Sequence, residues 1–395
     1  MTPTSNSRDS PNTNSVALTR LSADFFALAL GPHPQRVLTL MHSRCALARL
    51  RGCMAAGAAV LVIVLVLATR LAGQTPAGKT HRLEATPQTV AYGYYDAAAP
   101  PVLTIDSGDI IDVDTLLTNV PERLERAGVP ANQVQDSLRR IVAEVPQNRR
   151  GPGGHILTGP VFVRGAEPGD ALEVNVLSIS LPIPYGYNGC SGFLRDNCEP
   201  GRQALIIPLD AKRMIATFPG NVEIPLKPFF GSMGVAPPPS AGRISSNPPW
   251  IHAGNLDNKE LVAGTTLFIP VHATGALFEI GDGHAAQGDG EVDQTAIETS
   301  LRGRVRLTVR KAMTLAWPRA ETPTHYISMG TDEDLTVATR VAIQEMVDFL
   351  VATKHYDRHT AYQLTSVAAD VAITQLVDGR VGVHVKMPKS IFKGQ

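Results

Sequence analysis

Alternation of apolar and polar residues marks two strand-turn-strand units in the first half of the chain. Residues 102–114 read VLTIDSGDIIDVD and residues 161–179 read VFVRGAEPGDALEVNVLSI, each with a Gly-Asp turn near its middle. Apolar and polar residues that alternate on both sides of such a turn are typical of a β-hairpin. Two similar hairpins predict a β-sandwich or barrel-like unit and are compatible with an internal duplication.

The pattern changes in the segments that follow. Residues 121–145 mix charges with spaced apolar positions, which predicts helical excursions inserted over the sheet. Residues 231–250 contain so much Gly and Pro that we expect a long connection without regular structure, and such connections often bind ligands. Strands are predicted to resume at Leu261–Val271 and Gly303–Val309.

The C-terminal part follows a helical period. Thr331–Asp334 is typical of a helix N-cap with an acidic first turn, and the apolar positions after it predict a helix to about Lys354. These positions are Leu335, Ala338, Ala342, Met346 and Phe349. A second helix is predicted from near Asp357, before a last strand at Val381–Val385. Its apolar positions are Ala361, Leu364, Ala368 and Ala372. The predicted fold class is α+β, a β-rich body of sandwich or barrel-like sheets with a C-terminal helical hairpin packed on it.

The N-terminus has the pattern of a targeting signal. Met54–Ala68 is an uncharged apolar run with arginines before it and small residues after it, and it is shorter than the roughly 20 residues that cross a bilayer. We therefore expect a signal peptide over residues 41–77 and export to the periplasm or the cell exterior, with a single membrane anchor as the alternative. Residues 1–40 are either a disordered leader or an overlong start assignment. Residues 78–395 form the expected functional domain. Its two possible β subdomains cover about residues 85–225 and 226–390.

Charge and cysteine content narrow the classes of ligand. Lys+Arg and Asp+Glu are equal at 36 each, so no global field attracts nucleic acid or an anionic membrane surface. We expect a small-molecule ligand and membrane contact only through the N-terminal signal or anchor. Cys190 and Cys198 lie outside the signal, and in an oxidising compartment they form either a disulfide or two free thiols.

The densest group of potential metal ligands lies in Ala276–Val292, where Asp282, His284, Asp289 and Glu291 occur among glycines. In an extended segment Asp282 and His284 would point to the same side, because residues i and i+2 share a face. They could then hold a divalent metal with nitrogen and oxygen ligands. The alternative is an acidic turn that carries one surface histidine.

Two other turns offer catalytic groups. His155 follows a Gly-Pro-Gly-Gly turn, and Glu167 lies in the turn GAEPGD. A carboxylate held near a metal or an amide could act as a general base if burial raised its pKa, whereas a hairpin glutamate in water would do nothing of the kind. Asn255 and Asp257 could orient an amide or complete a metal shell, or merely cap a loop. The sequence contains no G-x-S-x-G, H-E-x-x-H or P-loop motif, which argues against serine hydrolases and zincins.

Four long segments resemble successive blocks of the acetamidase/formamidase family, in order, over about Thr86–Pro388. They are LTGPVFVRGAEPGDALEVNVLSI, FFGSMGVAP, NPPWIHAGNLDNKELVAGTTLFIPVHATGALFEIGDGHAAQGDGEV with the following AIETSL, and SVAADVAITQLVDGRVGVHVKMPK. The resemblance implies a catalytic domain that hydrolyses the C–N bond of a small linear amide, of the formamide or acetamide kind, to a carboxylate and ammonia. It also implies a β-rich fold with helical additions, a homo-oligomer, and a divalent metal that is zinc or, second, calcium.

The family blocks fall on Gly165–Asp170, Gly254–Asp257 and Gly281–Glu291, and Ala253 stands where members often have a second glycine. Together with the resemblance, the residues predict metal-assisted hydrolysis in which Glu167 takes a proton from water and returns it to the leaving nitrogen. The predicted metal ligands are Asp114, Asp257, Asp282 and His284. The predicted catalytic residues are Glu167 and His155, and the predicted substrate contacts are Asn255 and Gly234. A lactamase or other cyclic amide hydrolase, and a secreted non-catalytic binding protein, are the alternatives.

Overall fold

Short strands joined by turns build two large β-sheets in the computed structural model, which describes residues 78–393. The leader and the signal peptide predicted for residues 1–77 lie outside the described residues. Within residues 78–393, no helix combines the length and the apolar character needed to cross a bilayer.

The first sheet has nine strands and is antiparallel except where its first two strands meet in parallel. From one edge to the other, these strands are β1 (Thr80–Leu83), β5 (Ile110–Asp114), β18 (Arg302–Arg310), β7 (Ala171–Ser180), β15 (Thr266–Pro270), β19 (Arg319–Glu321), β20 (His325–Asp332), β22 (Val381–Pro388) and β21 (Asp370–Gln375).

The second sheet has eleven strands and is branched. Its main path runs through β11 (Val222–Pro225), β10 (Ile215–Phe218), β9 (Leu205–Asp210), β8 (Tyr185–Asn188), β17 (Glu298–Thr299), β16 (Phe278–His284), β12 (Phe229–Gly234) and β14 (Ala253–Asn255). The branch consists of β6 (Ile156–Val163), which pairs with β16, and of β2 (Val90–Tyr92) and β4 (Leu103–Ile105), which pair with β6. A small third sheet joins β3 (Tyr94–Tyr95) to β13 (Ile244–Ser245).

The apolar faces of the two large sheets pack together and form the main core. Its fully buried members include Ile111, Val113, Val305 and Leu307 from the nine-stranded sheet and Phe230, Phe278 and Ile280 from the eleven-stranded sheet. Each such side chain contributes about 1.5–3 kcal/mol by leaving water. This core fixes β12 and β16 side by side. The α+β, β-rich fold class predicted from the sequence is confirmed.

The two predicted hairpins are wrong in their pairing, although their strands and turns exist. Residues 102–114 contain β4, which pairs with β6 in the eleven-stranded sheet, and β5, which pairs with β1 and β18 in the nine-stranded sheet. Residues 161–179 divide in the same way between β6 and β7. Each turn therefore crosses from one sheet to the other. Because both sheets take strands from before and after residue 225, the predicted β subdomains do not correspond to the sheets.

The helical excursions predicted over residues 121–145 are α1 (Pro121–Arg126) and α2 (Asp136–Glu144). Their buried residues Leu124, Leu138 and Ile141 share a second apolar cluster with residues of the eleven-stranded sheet. The two helices cover this sheet, as predicted.

The C-terminal helices are α3 (Leu335–Lys354) and α4 (Arg358–Ala368), and they pack on β20 and β22. Asp334 is the N-cap of α3, since its side chain accepts hydrogen bonds from the backbone N–H groups of Thr336 and Val337. The second helix was predicted to reach Ala372, but it ends at Ala368 because the chain becomes extended at Ala369 and enters β21.

Three local predictions need correction or completion. Residues 231–250 are not wholly irregular, because the end of β12, a 3₁₀ turn and β13 lie within them. The strand predicted at Leu261–Val271 is shorter, Thr266–Pro270. Cys190 and Cys198 form a disulfide.

Candidate functional site

Acidic and imidazole side chains from distant parts of the chain meet in one buried group, the acid–imidazole cluster. Its members are His155, Asp257, Asp282, His284, Glu291, Glu298 and Asp378. His155 immediately precedes β6, Asp257 follows β14, and Asp282 and His284 lie on β16. Glu291 lies between β16 and β17, Glu298 on β17, and Asp378 in the turn between β21 and β22. The four carboxylate residues nearest His284 are each no more than 6% exposed.

His284 lies at the centre of the cluster. Its Nε2 atom is 3.3 Å from Asp282 Oδ2 and 3.3 Å from Glu298 Oε1. The same nitrogen is 3.9 Å from Asp257 Oδ1 and 4.0 Å from Glu291 Oε1. A single imidazole nitrogen thus faces four carboxylates.

Gln287 fixes the tautomer of His284. The Gln287 Nε2 atom donates to the backbone carbonyl of Asp257 at 2.7 Å, which leaves Gln287 Oε1 to contact His284 Nδ1 at 2.8 Å. Because an amide oxygen only accepts, Nδ1 carries the proton. In the neutral imidazole, Nε2 therefore presents a lone pair to the carboxylates, as a metal-binding histidine does.

The electrostatics of the cluster favour protons or a cation between its carboxylates. Burial, followed by repulsion from Glu291 and Asp282, raises the pKa of Asp257 well above its ordinary value. Burial acts to lower the pKa of His284, but Glu298 and Asp282 outweigh it, and the pKa of His284 lies well above its ordinary value. So many carboxylates in one buried space are stable only with protons or a bound cation between them.

Two observations show that the cluster can accommodate a cation. The buried oxygens Asp257 Oδ1 and Glu291 Oε2 have no hydrogen-bond partner among residues 78–393. Strand β12 also leaves space beside the cluster, because a glycine lies opposite Asp282. In the pairing of β12 with β16, Phe230 lies opposite Gly283 and Ser232 opposite Gly281, so this glycine is Gly231. A Cβ atom on Gly231 would lie 2.5 Å from both Asp257 Oδ1 and Asp282 Oδ2. Asp257, Asp282 and His284 offer ligand atoms within 4.8 Å of one another, so this donor set fits a divalent metal.

The backbone is strained at three of the carboxylates. Asp257, Asp282 and Glu291 have φ values of 48°, 56° and 40°, in the left-handed region that residues other than glycine rarely adopt. Each such residue costs on the order of 1 kcal/mol or more and persists only where surrounding structure enforces it. Strain concentrated at one group of acids is typical of a functional site.

A second layer of polar groups orients the carboxylates. The Asn255 amide nitrogen donates to Asp257 Oδ2 at 2.8 Å and to Asp378 Oδ2 at 3.1 Å, and its oxygen accepts from the Ser232 hydroxyl at 2.7 Å. His155 contacts Ser246 Oγ through Nδ1 at 3.0 Å, and its Nε2 lies 3.8 Å from Asp282 Oδ2. The His155 side chain is 13% exposed, whereas those of His284 and the four carboxylates around it are at most 7% exposed.

Five of the predicted site residues meet in or beside the cluster, namely His155, Asn255, Asp257, Asp282 and His284. The role of Asn255 differs from the prediction. Its polar atoms are all used within the protein, so it positions Asp257 and Asp378 and is not a free substrate contact. Gly234 does not face the cluster, because a Cβ there would meet the backbone of Gly254 and the ring of Tyr95.

Glu167 is separated from the cluster, and its predicted role as the general base is corrected. It lies exposed in the turn after β6 and accepts a hydrogen bond from Thr274 at 2.9 Å. Thr274 precedes Phe278, the first residue of β16, whereas His284 is the last residue of this strand. At a rise of about 3.3 Å per residue, the two ends of β16 are about 20 Å apart.

Asp114 is also removed from the set of metal ligands. Its carboxylate contacts the guanidinium of Arg82, and its oxygen Oδ1 is 3.9 Å from Arg302 Nε, on the nine-stranded sheet. Asp289, which the sequence also offered as a potential metal ligand within Ala276–Val292, instead forms an ion pair with Lys259 at 2.8 Å. Neither aspartate belongs to the cluster.

Sequence reasoning missed Glu298, Asp378, Gln287 and Gly231 as site residues. Glu298 lies opposite His284 in the β16–β17 pair, and Asp378 reaches the cluster from the turn between β21 and β22, far along the chain from both. No local pattern reports such pairings. The one usable signal was the density of acids between Asp282 and Glu298.

The chain is similar in sequence and in structure to known acetamidases and formamidases. A sequence model of the Acetamidase/Formamidase family matches residues 144–242 and 240–394. The acetamidase of Mycolicibacterium smegmatis is 30% identical over 35% of this chain and 49% of its own length. The formamidase of Methylophilus methylotrophus is 28% identical over 35% of this chain and 47% of its own. The match thus spans about half the length of these curated relatives. The crystal structure of acetamidase from Bacillus halodurans has a TM-score of 0.67 and 26% identity, and it covers 79% of this chain and 99% of that one.

Proposed function

We propose, from the premise that this chain belongs to the acetamidase/formamidase family, that it hydrolyses the C–N bond of small linear amides to a carboxylate and ammonia. The observation that carries the proposal is the buried acid–imidazole cluster with its unpartnered carboxylate oxygens. The acids around His284 are almost fully enclosed by protein, which favours small substrates.

The metal that we propose for this site is divalent and held by Asp257, Asp282 and His284. Zinc is the first choice and calcium the second, since an imidazole nitrogen among the donors suits zinc while calcium prefers oxygen ligands alone. Lewis-acid chemistry, which polarises a carbonyl oxygen and acidifies water, is what such an ion supplies when bound.

The protein's own residues perform the proton transfers. Glu291 replaces Glu167 as the proposed general base, because its oxygen Oε1 lies 4.0 Å from His284 Nε2 and its oxygen Oε2 is buried without a hydrogen-bond partner among residues 78–393. Water loses a proton to Glu291 Oε2 as it adds to the amide carbon. The C–N bond then breaks, and the same oxygen returns the proton to the departing nitrogen.

Other residues orient the reacting groups. His155, the more exposed of the two imidazoles, holds the amide by a hydrogen bond from its ring. Glu298 Oε1 accepts a hydrogen bond from the backbone N–H of Ala296 at 2.9 Å, which fixes its carboxylate against His284. Gln287 keeps His284 in the tautomer described above.

We also propose that the protein acts in the periplasm or outside the cell. The disulfide between Cys190 and Cys198 supports this, because disulfides persist in oxidising compartments. The signal peptide and the homo-oligomer expected from the sequence stay predictions.

An ammonia-release assay tests the function. Formamide and acetamide are assayed for released ammonia, and a small lactam panel is assayed for the free amine of the ring-opened amino acid, because lactam hydrolysis releases no ammonia. The proteins compared are the parent, Asp282→Asn and Asp289→Asn, the matched control. We expect linear amides to be hydrolysed, Asp282→Asn to lose at least about 100-fold in kcat/KM, and Asp289→Asn to keep its rate. Hydrolysis of lactams alone would favour the cyclic amide hydrolase, and ammonia from none of the amides would refute the proposal.

A further inference from the structure

A cavity lined by arginines lies beside chain segments that carry two members of the acid–imidazole cluster. Its volume is about 530 Å³, and its charged lining residues are Arg123, Arg126 and Arg202, which are all exposed. No Asp, Glu or Lys among residues 78–393 lines it, although Arg202 contacts Glu199 outside the lining at 3.4 Å. Arg123 and Arg126 lie three positions apart on α1, so they share a helix face. Glu125, the acid between them, pairs with Arg139 instead, at 2.5 Å.

Two lining residues of this cavity neighbour members of the cluster. Gly154, which lines the cavity, immediately precedes His155, and a Cβ on Gly154 would meet only one atom, at 3.9 Å. Tyr187, another lining residue, lies opposite the cluster member Glu298 in the β8–β17 pair. The cavity is therefore next to His155 along the chain and next to Glu298 across a strand pair.

The charge arrangement indicates which substrates the cavity suits. A neutral amide needs no arginine to approach the cluster, but an anion is repelled by its five carboxylates. Guanidinium groups in the adjoining space would offset this repulsion and bind a planar carboxylate by charge-assisted hydrogen bonds. The combination thus fits a substrate with an amide at one end and a carboxylate at the other.

We propose that the arginine-lined cavity binds the carboxylate of the substrate, so that the preferred substrates are monoamides of short dicarboxylic acids. This inference rests on the proposed amide hydrolysis. Water adds to the amide carbon, the C–N bond breaks, and a dicarboxylate and ammonia leave, with no oxidant or reductant required.

A pair of nearly isosteric substrates tests the inference. Succinamate carries one carboxylate, whereas succinamide has a neutral amide in its place. We expect kcat/KM of the parent to be at least about tenfold higher for succinamate, and added salt to reduce this preference. The double variant Arg123→Gln/Arg126→Gln should lower the ratio by at least about tenfold through KM for succinamate. Arg340→Gln, which changes an exposed arginine on α3, is the control and should leave both rates unchanged.

Two further arms keep the test decisive. Arg202→Gln, in the loop after the disulfide, should lower the same ratio and serves if the double variant does not fold. Calorimetric titration with succinate should show binding to the parent and at least about tenfold weaker binding to the variants. No preference for succinamate in the parent, or a preference that the variants keep, would overturn the inference. If no amide is hydrolysed at all, the proposed function fails, and the succinate titration alone decides whether the cavity binds carboxylates.

Discussion

Replacement of Gly231 by alanine should displace the proposed metal ligands while leaving the sheet intact. The new Cβ would lie 2.5 Å from Asp257 Oδ1, 2.5 Å from Asp282 Oδ2 and 2.9 Å from His284 Cε1. To restore ordinary contact, the two oxygens must move by about 0.5 to 0.9 Å. Metal–ligand distances tolerate only about 0.2 Å, so we expect metal affinity to fall by more than about 100-fold.

The effect on folding should be much smaller. Gly231 does not have a left-handed φ, so alanine suits its backbone, and the methyl group adds only local crowding. Overpacking of this kind costs about 1–3 kcal/mol, which lowers the melting temperature by about 2–4 °C for each kcal/mol. The variant should therefore be a folded protein with an impaired site.

Metal content after dialysis, measured by mass spectrometry, and ammonia release are the two readouts for Gly231→Ala. Gly288→Ala is the matched control, because a Cβ there meets no atom within 4 Å and its φ is also outside the left-handed region. We expect the control to match the parent in both readouts. Full metal content and full activity in Gly231→Ala would refute the assignment of the metal to Asp257, Asp282 and His284.

Three further predictions follow from the structure. Glu167→Gln should keep kcat/KM within about twofold, because Glu167 is separated from His284 by the length of β16, and a large loss in the ammonia assay would contradict this. Reduction of the Cys190–Cys198 disulfide should lower the free energy of unfolding by up to about 2.5 kcal/mol, as the closed loop is short, and identical denaturant curves with and without reductant would disprove it. Burial raises the pKa of Glu345 to about 7 from its ordinary 4.5, so the folded state retains this proton longer and stability falls as pH rises between these values. Glu345→Gln should thus gain in melting temperature over the parent from pH 5 to pH 8, and a difference that does not change with pH would count against it.

The C-terminal helices show what could be predicted from local sequence. Asp334 as N-cap and the spacing of Ala338, Ala342 and Met346 are contained in one continuous segment, and the structure confirms α3 from them. The turns that cross from one sheet to the other show what could not be predicted from local sequence. Alternation of apolar and polar residues determines which face of a strand is buried, but not which strand lies beside it. A hairpin and a turn between two sheets therefore produce the same pattern, and only long-range packing distinguishes them.

The candidate site was predictable to the extent that its residues are neighbours in sequence. Asp282 and His284, two positions apart on β16, were found because their spacing alone suggests a shared target. Glu298 and Asp378 depend on strand pairing that no short motif encodes. Glu167 was misassigned because a glutamate in a turn has the same sequence pattern whether the turn lies beside the cluster or, as here, at the far end of the sheet.

Folding and ligand binding are coupled in this site by its composition. Five carboxylates are brought together against two imidazoles, three of the acids hold unfavourable backbone conformations, and two buried oxygens lack a hydrogen bond among the described residues. Every one of these features opposes folding of the protein alone, and the sandwich core must offset them. The proposed divalent cation would relieve the repulsion and satisfy the free oxygens at once. It would stabilise the folded protein, because only the assembled cluster could bind it. The arrangement that makes the site costly to fold is thus the one that would favour binding of the proposed cation, since folding already brings the ligand atoms within 4.8 Å of one another.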